Sequence, residues 1–368
     1  MSFYFIQLFI FILYSLIFIG LDVQTAGAFS NINNKYFFEK LYCFISIIYL
    51  SLVMGLRSNT VGTDTPLYVY NYLINSQISE DTFSYNWLNK MVFGLTNGNY
   101  HAFLLVTSFV IVTSIVIGLW RIYSYFEIQY KTFYLFFSLY IYITYYYYFE
   151  AFNIFRQSLA GAIAFLAVSF LFTRNYFKSL FLFILAVGIH NTVIVLIVLI
   201  PVILIKKNRK GLFIWGIFSV LIGYLNPILI EYFASFSDHY LMYNEQTVDN
   251  LSSAGGSAVV GIFMLFFVYL SVINCDIYEN QSLMSLVCII FMAGILYIIG
   301  MRSQLIVRIA DYMGIFIIAA LPLIIGFRSK FKRNISLSYL FWLVILVGLA
   351  LMSYKMYKNM GGIIPYVL

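Results

Sequence analysis

Charge is what this sequence has least of: only 10% of its 368 residues are Asp, Glu, Lys or Arg, against about a quarter in soluble domains. A surface so poor in charge cannot be hydrated, which excludes a water-soluble globular fold. Cysteine is nearly as scarce. Cys43, Cys275 and Cys288 fall within or at the ends of apolar runs and form no C-x-x-C pair. They read as small buried hydrophobes, leaving neither a disulfide framework nor a metal cluster. Also missing are a D-x-D pair, a P-loop and H-E-x-x-H, and the several buried carboxylates that ion-coupled transport often needs.

What the chain does have is apolar surface, 63% of its residues, with a mean hydropathy of +0.93. Apolar runs fall near 3–20, 41–56, 101–120, 132–149, 157–173, 178–205, 212–230, 257–274, 283–300, 313–327 and 335–353. A spanning helix needs about 20 apolar residues to cross a hydrocarbon core of roughly 30 Å. In lipid the backbone must satisfy itself, which leaves helices or closed barrels. The runs are continuous, not alternating, so the predicted class is all-α and polytopic. The first run, Phe3–Ile19, lacks the basic flank of a signal peptide and reads as a span.

Short cytoplasmic loops collect Lys and Arg. Lys206, Lys207, Arg209 and Lys210 mark one such loop, and Arg328, Lys330, Lys332 and Arg333 another. Arg174 with Lys178, Arg121 with Lys131, and Lys35 with Lys40 are weaker members of the set. Residues 178–205 then carry a basic cluster at both ends, which requires an even number of crossings. Gly188-Ile189-His190-Asn191-Thr192 interrupts the run. The expectation is two short helices, about 178–188 and 192–205, forming a hairpin with an outward polar tip. Such broken helices occur at membrane depth where they pack in protein or line a cavity. One long tilted helix is the alternative. The hairpin makes about twelve membrane segments in a single domain over 1–368, with both termini outside and outer loops near 57–100 and 231–256.

In the first loop, Thr63-Asp64-Thr65-Pro66 is a helix-start signal, a capping hydroxyl before a proline at the first helical position. Leu67, Tyr70 and Ile74 follow at helical spacing, predicting an amphipathic helix on the membrane surface. The second loop carries Phe233, Phe236, Tyr240 and Tyr243 before a flexible stretch, Ser252–Gly256.

On this topology Arg57, Arg156, Arg302 and Arg308 lie outside, each near the end of a span. The ordinary role of such a residue is a headgroup anchor. Its always-charged planar fork also matches phosphate oxygens. Asn153 and Arg156 are three apart and share a face if the segment is helical. Arg308 has the same spacing to Asp311, as an ion pair or as a carboxylate positioning the guanidinium. His190, at the hairpin tip, is either a hydrogen-bonded core residue or a general base suited to neutral pH. Tyr145–Tyr148 with Phe149 reads as an aromatic belt or a sugar-stacking surface. Lys90, Lys355 and Lys358 read as ordinary surface charges. Arginines, one base and no metal suit displacement of a lipid-linked pyrophosphate leaving group.

The stretch Arg57-x-x-x-x-Gly62-Thr63-Asp64-Thr65-x-x-Tyr68, then Asn153-x-x-Arg156-Gln157, the His190 region and the closing Ile364-Pro365-Tyr366 resemble, in this order, the EpsG family, a branch of Wzy-type polysaccharide polymerases. Arg302 to Tyr312 matches a later arginine-bearing outer loop more loosely. The resemblance implies a bacterial cytoplasmic-membrane glycosyltransferase, active at the outer face, that needs no cofactor and no metal. Such enzymes build O-antigen, capsule or exopolysaccharide, moving a growing glycan from undecaprenyl diphosphate onto another lipid-linked repeat unit. On that reading Arg156 and Arg308 bind the diphosphate, and Arg57 and Arg302 assist. Asn153, Gln157, Asp311 and Tyr68 complete the substrate site. His190, or else Asp64, takes the proton from the acceptor hydroxyl. Partners are the undecaprenyl-diphosphate-linked oligosaccharide and membrane lipid, with a chain-length regulator and a flippase as protein candidates and no nucleic acid.

Three rivals stand beside it. A glycan ligase of the same scaffold type would leave lipid-linked polymer, not single repeat units, when lost. A flippase or transporter should show two similar halves and charges inside spans. A membrane O-acyltransferase also uses an embedded histidine but needs an acyl-donor route.

Overall fold

The structure, a computed structural model, describes residues 1–28, 32–74, 82–205, 209–225, 228, 231–232, 251–273, 280–331 and 336–368. Among them there is no strand. In chain order the helices are α1 (Ser2–Ala28), α2 (Ile32–Gly55), α3 (Thr65–Leu73), α4 (Phe83–Thr96), α5 (Tyr100–Tyr125), α6 (Lys131–Thr144), α7 (Tyr147–Glu150), α8 (Phe155–Phe172) and α9 (Tyr176–Val187). A 3-10 helix, Asn191–Val198, then leads into α10 (Leu199–Leu204), followed by α11 (Arg209–Tyr224), α12 (Leu251–Ile273) and α13 (Gln281–Ile299). A 3-10 turn, Gly300–Arg302, precedes α14 (Gln304–Gly314), α15 (Ile317–Phe331) and α16 (Ser336–Tyr357). Six helices are long and apolar enough to cross a membrane, and α14 with α15, bent by 43° at their junction, makes a seventh candidate. The chain is a polytopic helical membrane protein.

Asparagines start several of the helices. Asn99 accepts the His101 and Ala102 amides, Asn175 that of Lys178 and Asn280 that of Leu283, satisfying first-turn N–H groups that lipid cannot. The chain divides into two compact units, Met1–His190 with Ser338–Leu368, and Asn191–Leu337.

In the first unit α5 is central, with α2 and α8 against it and α9 against α8. One end is tied by the buried Glu39–Lys131 pair at 3.2 Å and by Arg121 donating to the Thr173 hydroxyl at 2.6 Å. At the opposite end the segments after α2, before α8 and after α9 converge. Both chain termini are there too, because Tyr4 donates to the Ile363 carbonyl at 2.6 Å. In the second unit α13 is central, contacted by α11, α12, α14 and α15. A Cβ on Gly261 of α12 would stand 2.6 Å from the Gly294 carbonyl oxygen; small residues permit this close backbone approach.

Several expectations need correction. The expected helix is present, with Leu67, Tyr70 and the C-terminal cap residue Ile74 exposed, but Thr65 does not cap it. Asp64 holds the cap position without a side-chain bond, and the Thr65 hydroxyl donates to the Phe152 carbonyl at 2.7 Å. Tyr146, Tyr148 and Phe149 are buried, so they form neither a belt nor a stacking surface. The hydroxyls of Tyr146 and Tyr148 donate to the carbonyls of Met360 and Leu50. Lys355 is no ordinary surface charge: it pairs with Glu150 at 2.9 Å and lies over the Tyr146 ring. Ser252–Gly256 belongs to α12. Arg308 and Asp311 stand on a helix, not in a loop, because Leu305, Ile306, Ile309 and Met313 bury its other side. Lys206, Lys207, Lys332, Arg333, Phe233, Phe236, Tyr240, Tyr243 and Cys275 lie outside the described residues.

Candidate functional site

Arg57 follows α2 and is wholly buried. Its guanidinium donates to the carbonyls of Met54 and Phe152 and sits 5.0 and 5.3 Å from the ring centroids of Phe152 and Phe155. Burial pushes it down to about 10, while Tyr148, Tyr366 and Tyr4 oppose the shift, so it stays a cation at neutral pH. Expected to assist at a diphosphate, it is instead enclosed by protein. The C-terminal segment closes over it. Ser58 donates to Val367, Gly62 to Gly362 and Thr63 to Gly361, at 2.7–3.0 Å between backbone atoms. The Tyr366 hydroxyl reaches the Val53 carbonyl.

This strap fixes the polar stretch after Arg57. Gly62 has φ +100, and a Cβ there would lie 2.4 Å from the Phe152 oxygen; the position requires glycine. The Asn153 side-chain oxygen accepts the Thr63 hydroxyl at 2.6 Å and the Asp64 amide at 2.8 Å. Asn153 precedes α8 in a turn, so it does not share a helix face with Arg156 as the spacing suggested. Its role here is to anchor Asp64, which is half-buried, beside the start of α8.

Arg156 lies in the first turn of α8, which no side chain caps. A cation there is opposed by the helix dipole, and an anion would be favoured. Its Nε is buried with no hydrogen-bond partner among the described residues. Its guanidinium carbon stands 5.9 Å from the Tyr85 ring centroid. Gln157 is buried, and the Tyr68 ring meets Phe155 at 6.2 Å. Tyr85 is on α4, which lies within the stretch 57–100 that the sequence predicts as an outer loop. Burial raises its phenol above the ordinary value, Tyr68 adds to the shift and Arg156 opposes it. Asn89, one turn on, lies beside the Tyr85 hydroxyl without meeting hydrogen-bond geometry.

The break in the 178–205 run is where it was expected, and it is where the chain passes from the first unit to the second. With 12 residues, α9 is about 18 Å long, too short for a core of roughly 30 Å. The Gly188 carbonyl beyond its end accepts the amides of Ser84 and Tyr85 at 3.0 and 3.3 Å, so α9 caps α4. His190 follows, buried, its amide bonded to the Ala186 carbonyl. The first unit thus gathers Asp64, Tyr68, Asn153, Arg156, Gln157 and His190 at one end, around α4.

The second unit has its own polar group. On α14, Asp311 accepts the Tyr297 hydroxyl at 2.7 Å, and the Tyr312 hydroxyl meets that of Thr192 at 3.1 Å. Arg308 is half-buried on the same helix. The side chain of Arg302 lies outside the described residues. Among the described residues no cluster suits a metal ion.

A polytopic helical protein with arginine and histidine gathered at one end of its helices is the class that fold and site define. The EpsG family matches residues 40–368, and the chain belongs to that family, whose members are Wzy-type polysaccharide polymerase-like membrane proteins. No curated protein and no solved structure matches it.

Proposed function

We propose that the protein polymerises polysaccharide at the outer face of a bacterial cytoplasmic membrane, joining oligosaccharide repeat units carried on undecaprenyl diphosphate. The topology that goes with this reading has twelve segments. They are α1, α2, α5, α6, α8, α9, the stretch 191–204, α11, α12, α13, α14 with α15, and α16. The end of the first unit that carries Arg121, Lys131, Arg174 and Lys178 is cytoplasmic by the positive-inside bias. The opposite end, with both termini, is outside.

In the reaction the acceptor sugar hydroxyl attacks the anomeric carbon of the donor glycan. The bond from that carbon to the diphosphate oxygen breaks, and undecaprenyl diphosphate leaves. His190 takes the hydroxyl proton, with Asp64 the alternative base. Arg156 and the uncapped start of α8 stabilise the charge that develops on the leaving group. No step needs a metal or a nucleotide sugar. The observation that carries this reading is that Tyr85 meets both Arg156, through its ring, and the Gly188–His190 break, through its amide. Arg308→Ala and Asp311→Ala in a complemented deletion strain test the second unit's polar group by itself, with loss of polymer from the inserted protein as the expected result.

The experiment is a deletion strain complemented with Arg156→Ala or His190→Ala. Polymer should give way to single repeat units, with a fall of about a hundredfold or more. An inserted Arg156→Ala protein that still makes full-length polymer would sink the assignment. Accumulation of lipid-linked polymer in the deletion strain would point to a ligase.

A further inference from the structure

Helix α4 is turned against the usual rule. Phe83, Trp87, Met91 and Leu95, every fourth residue, face outward and are 47–74% exposed. Ser84, Tyr85 and Asn89 face inward and are 8%, 0% and 7% exposed, with Val92 (5%) the apolar member of that face. Their oxygens, Ser84 Oγ, Tyr85 Oη and Asn89 Oδ1, have no hydrogen-bond partner among the described residues. Arg156 Nε, on the side chain that covers the Tyr85 ring, is a fourth such atom. Buried polar atoms are nearly always satisfied, so a group of four on adjoining side chains needs an explanation.

The chemistry of the four atoms narrows the ligand. Asn89 Oδ1 accepts, Arg156 Nε donates, and the hydroxyls of Ser84 and Tyr85 do both. A phosphate oxygen only accepts, whereas a sugar hydroxyl meets each of these needs. A packing role is a poor account, because apolar side chains of the same shape in the places of Tyr85 and Asn89 together would cost little, whereas polar ones carry a desolvation penalty unless something binds them. We infer that the inward face of α4, made by Ser84, Tyr85 and Asn89, is a sugar subsite that adjoins Arg156 and holds hydroxyls of the glycan ring next to the diphosphate. The assignment rests on the polymerase reading above. It makes α4 a determinant of which repeat unit is accepted, and the Gly188 carbonyl ties that determinant to the position of His190.

The test is binding to the purified full chain in lipid nanodiscs, with two probes: undecaprenyl diphosphate, and the lipid-linked repeat unit that accumulates in the deletion strain. Tyr85→Phe and Asn89→Leu should each bind the repeat unit about three- to tenfold more weakly. Both should bind undecaprenyl diphosphate as wild type does, and should melt at or above the wild-type temperature. Ser84→Ala is the second variant if Asn89→Leu fails to insert, and Lys90→Gln on the outer face is the unaffected control. Wild-type binding of both probes by the variants would overturn the subsite. Equal weakening on both would make the face a diphosphate site and overturn the sugar assignment. Wild-type protein that binds neither probe would take down the polymerase reading, and the subsite with it. Arg156→Ala that weakens both probes leaves that reading standing whatever the α4 variants do.

Discussion

The Gly188 carbonyl oxygen accepts the Ser84 amide at 3.0 Å, so the break in an apolar run and the first turn of α4 are one structural piece. At membrane depth the free carbonyl that ends α9 and the free amides that begin α4 would each be costly, and they satisfy each other. The contact is tight as well. A Cβ on Gly188 would lie 2.4 Å from Ser84 Oγ and 2.5 Å from the Phe83 ring.

Gly188→Ala should therefore push α4 away from the break, costing about 1–3 kcal/mol, and carry Tyr85 from Arg156. The expected result is a lower melting temperature together with shortened or lost polymer. The backbone at Gly188 has helical φ and ψ that alanine adopts freely, so only the steric contact is being tested. A variant matching wild type in both measurements would show that α4 can move without consequence.

Arg57 should behave as a structural cation. Replacing it with Met keeps the volume but strips the carbonyls of Met54 and Phe152 of their donor, and costs about 2–4 kcal/mol. Melting temperature and membrane abundance should fall in step with polymer. Undecaprenyl diphosphate binding by the surviving folded fraction should stay at the wild-type level. Because burial holds Arg57 at about 10, the folded state carries a penalty for the charged form that is constant between about pH 6 and 9. It is relieved, not added to, as pH rises through 10. The stability lost in the variant should thus be pH-independent over that range.

Removing residues 361–368 deletes the acceptors for Ser58, Gly62 and Thr63 and uncovers Arg57. The helices remain, so the shortened chain should insert normally. It should become cleavable by added protease within residues 57–65 and make no polymer. A truncated chain that polymerises would show the strap to be dispensable.

The parts of this site legible in the sequence were those announced by local contrast. A glycine, a histidine and an asparagine inside 28 apolar residues located the break at Gly188–His190, and arginines at the ends of apolar runs marked Arg57, Arg156 and Arg308. Illegible were the features that depend on distant chain. Arg57 looked like a boundary arginine until the C-terminal residues enclosed it. Tyr145–Tyr148 carried the same signal whether it faced headgroups or the core, and only its bonds to Leu50 and Met360 decide. Helix α4 was illegible because its pattern is inverted: the four-residue spacing of Phe83, Trp87, Met91 and Leu95 marks the outward face, and polar Ser84, Asn86, Asn89 and Lys90 are interspersed along the segment. The inward face, Ser84, Tyr85, Asn89 and Val92, mixes polar and apolar residues and offers no continuous apolar stripe that would be read as a core face.

That outward stripe yields the last expectation. Leu67 and Tyr70 on α3, Ile74 at its C-terminal cap, and Trp87, Met91 and Leu95 on α4 are exposed, and each large apolar side chain left in water forgoes about 1.5–3 kcal/mol. Helices with an apolar outer face lie in the membrane interface, their side chains reaching about 5–10 Å into the headgroup and acyl boundary. In a variant with Trp120, Trp215 and Trp342 changed to Phe, the fluorescence of Trp87 should be quenched by lipids brominated near the top of the acyl chain. Lipids brominated near the bilayer centre and water-borne iodide should have little effect. Leu95→Glu should reduce the quenching by lifting the end of α4, and the Gly188 contact at the other end should keep the helix folded. Quenching of Trp87 by iodide alone would place α4 in water and leave its apolar face without a partner in the lipid.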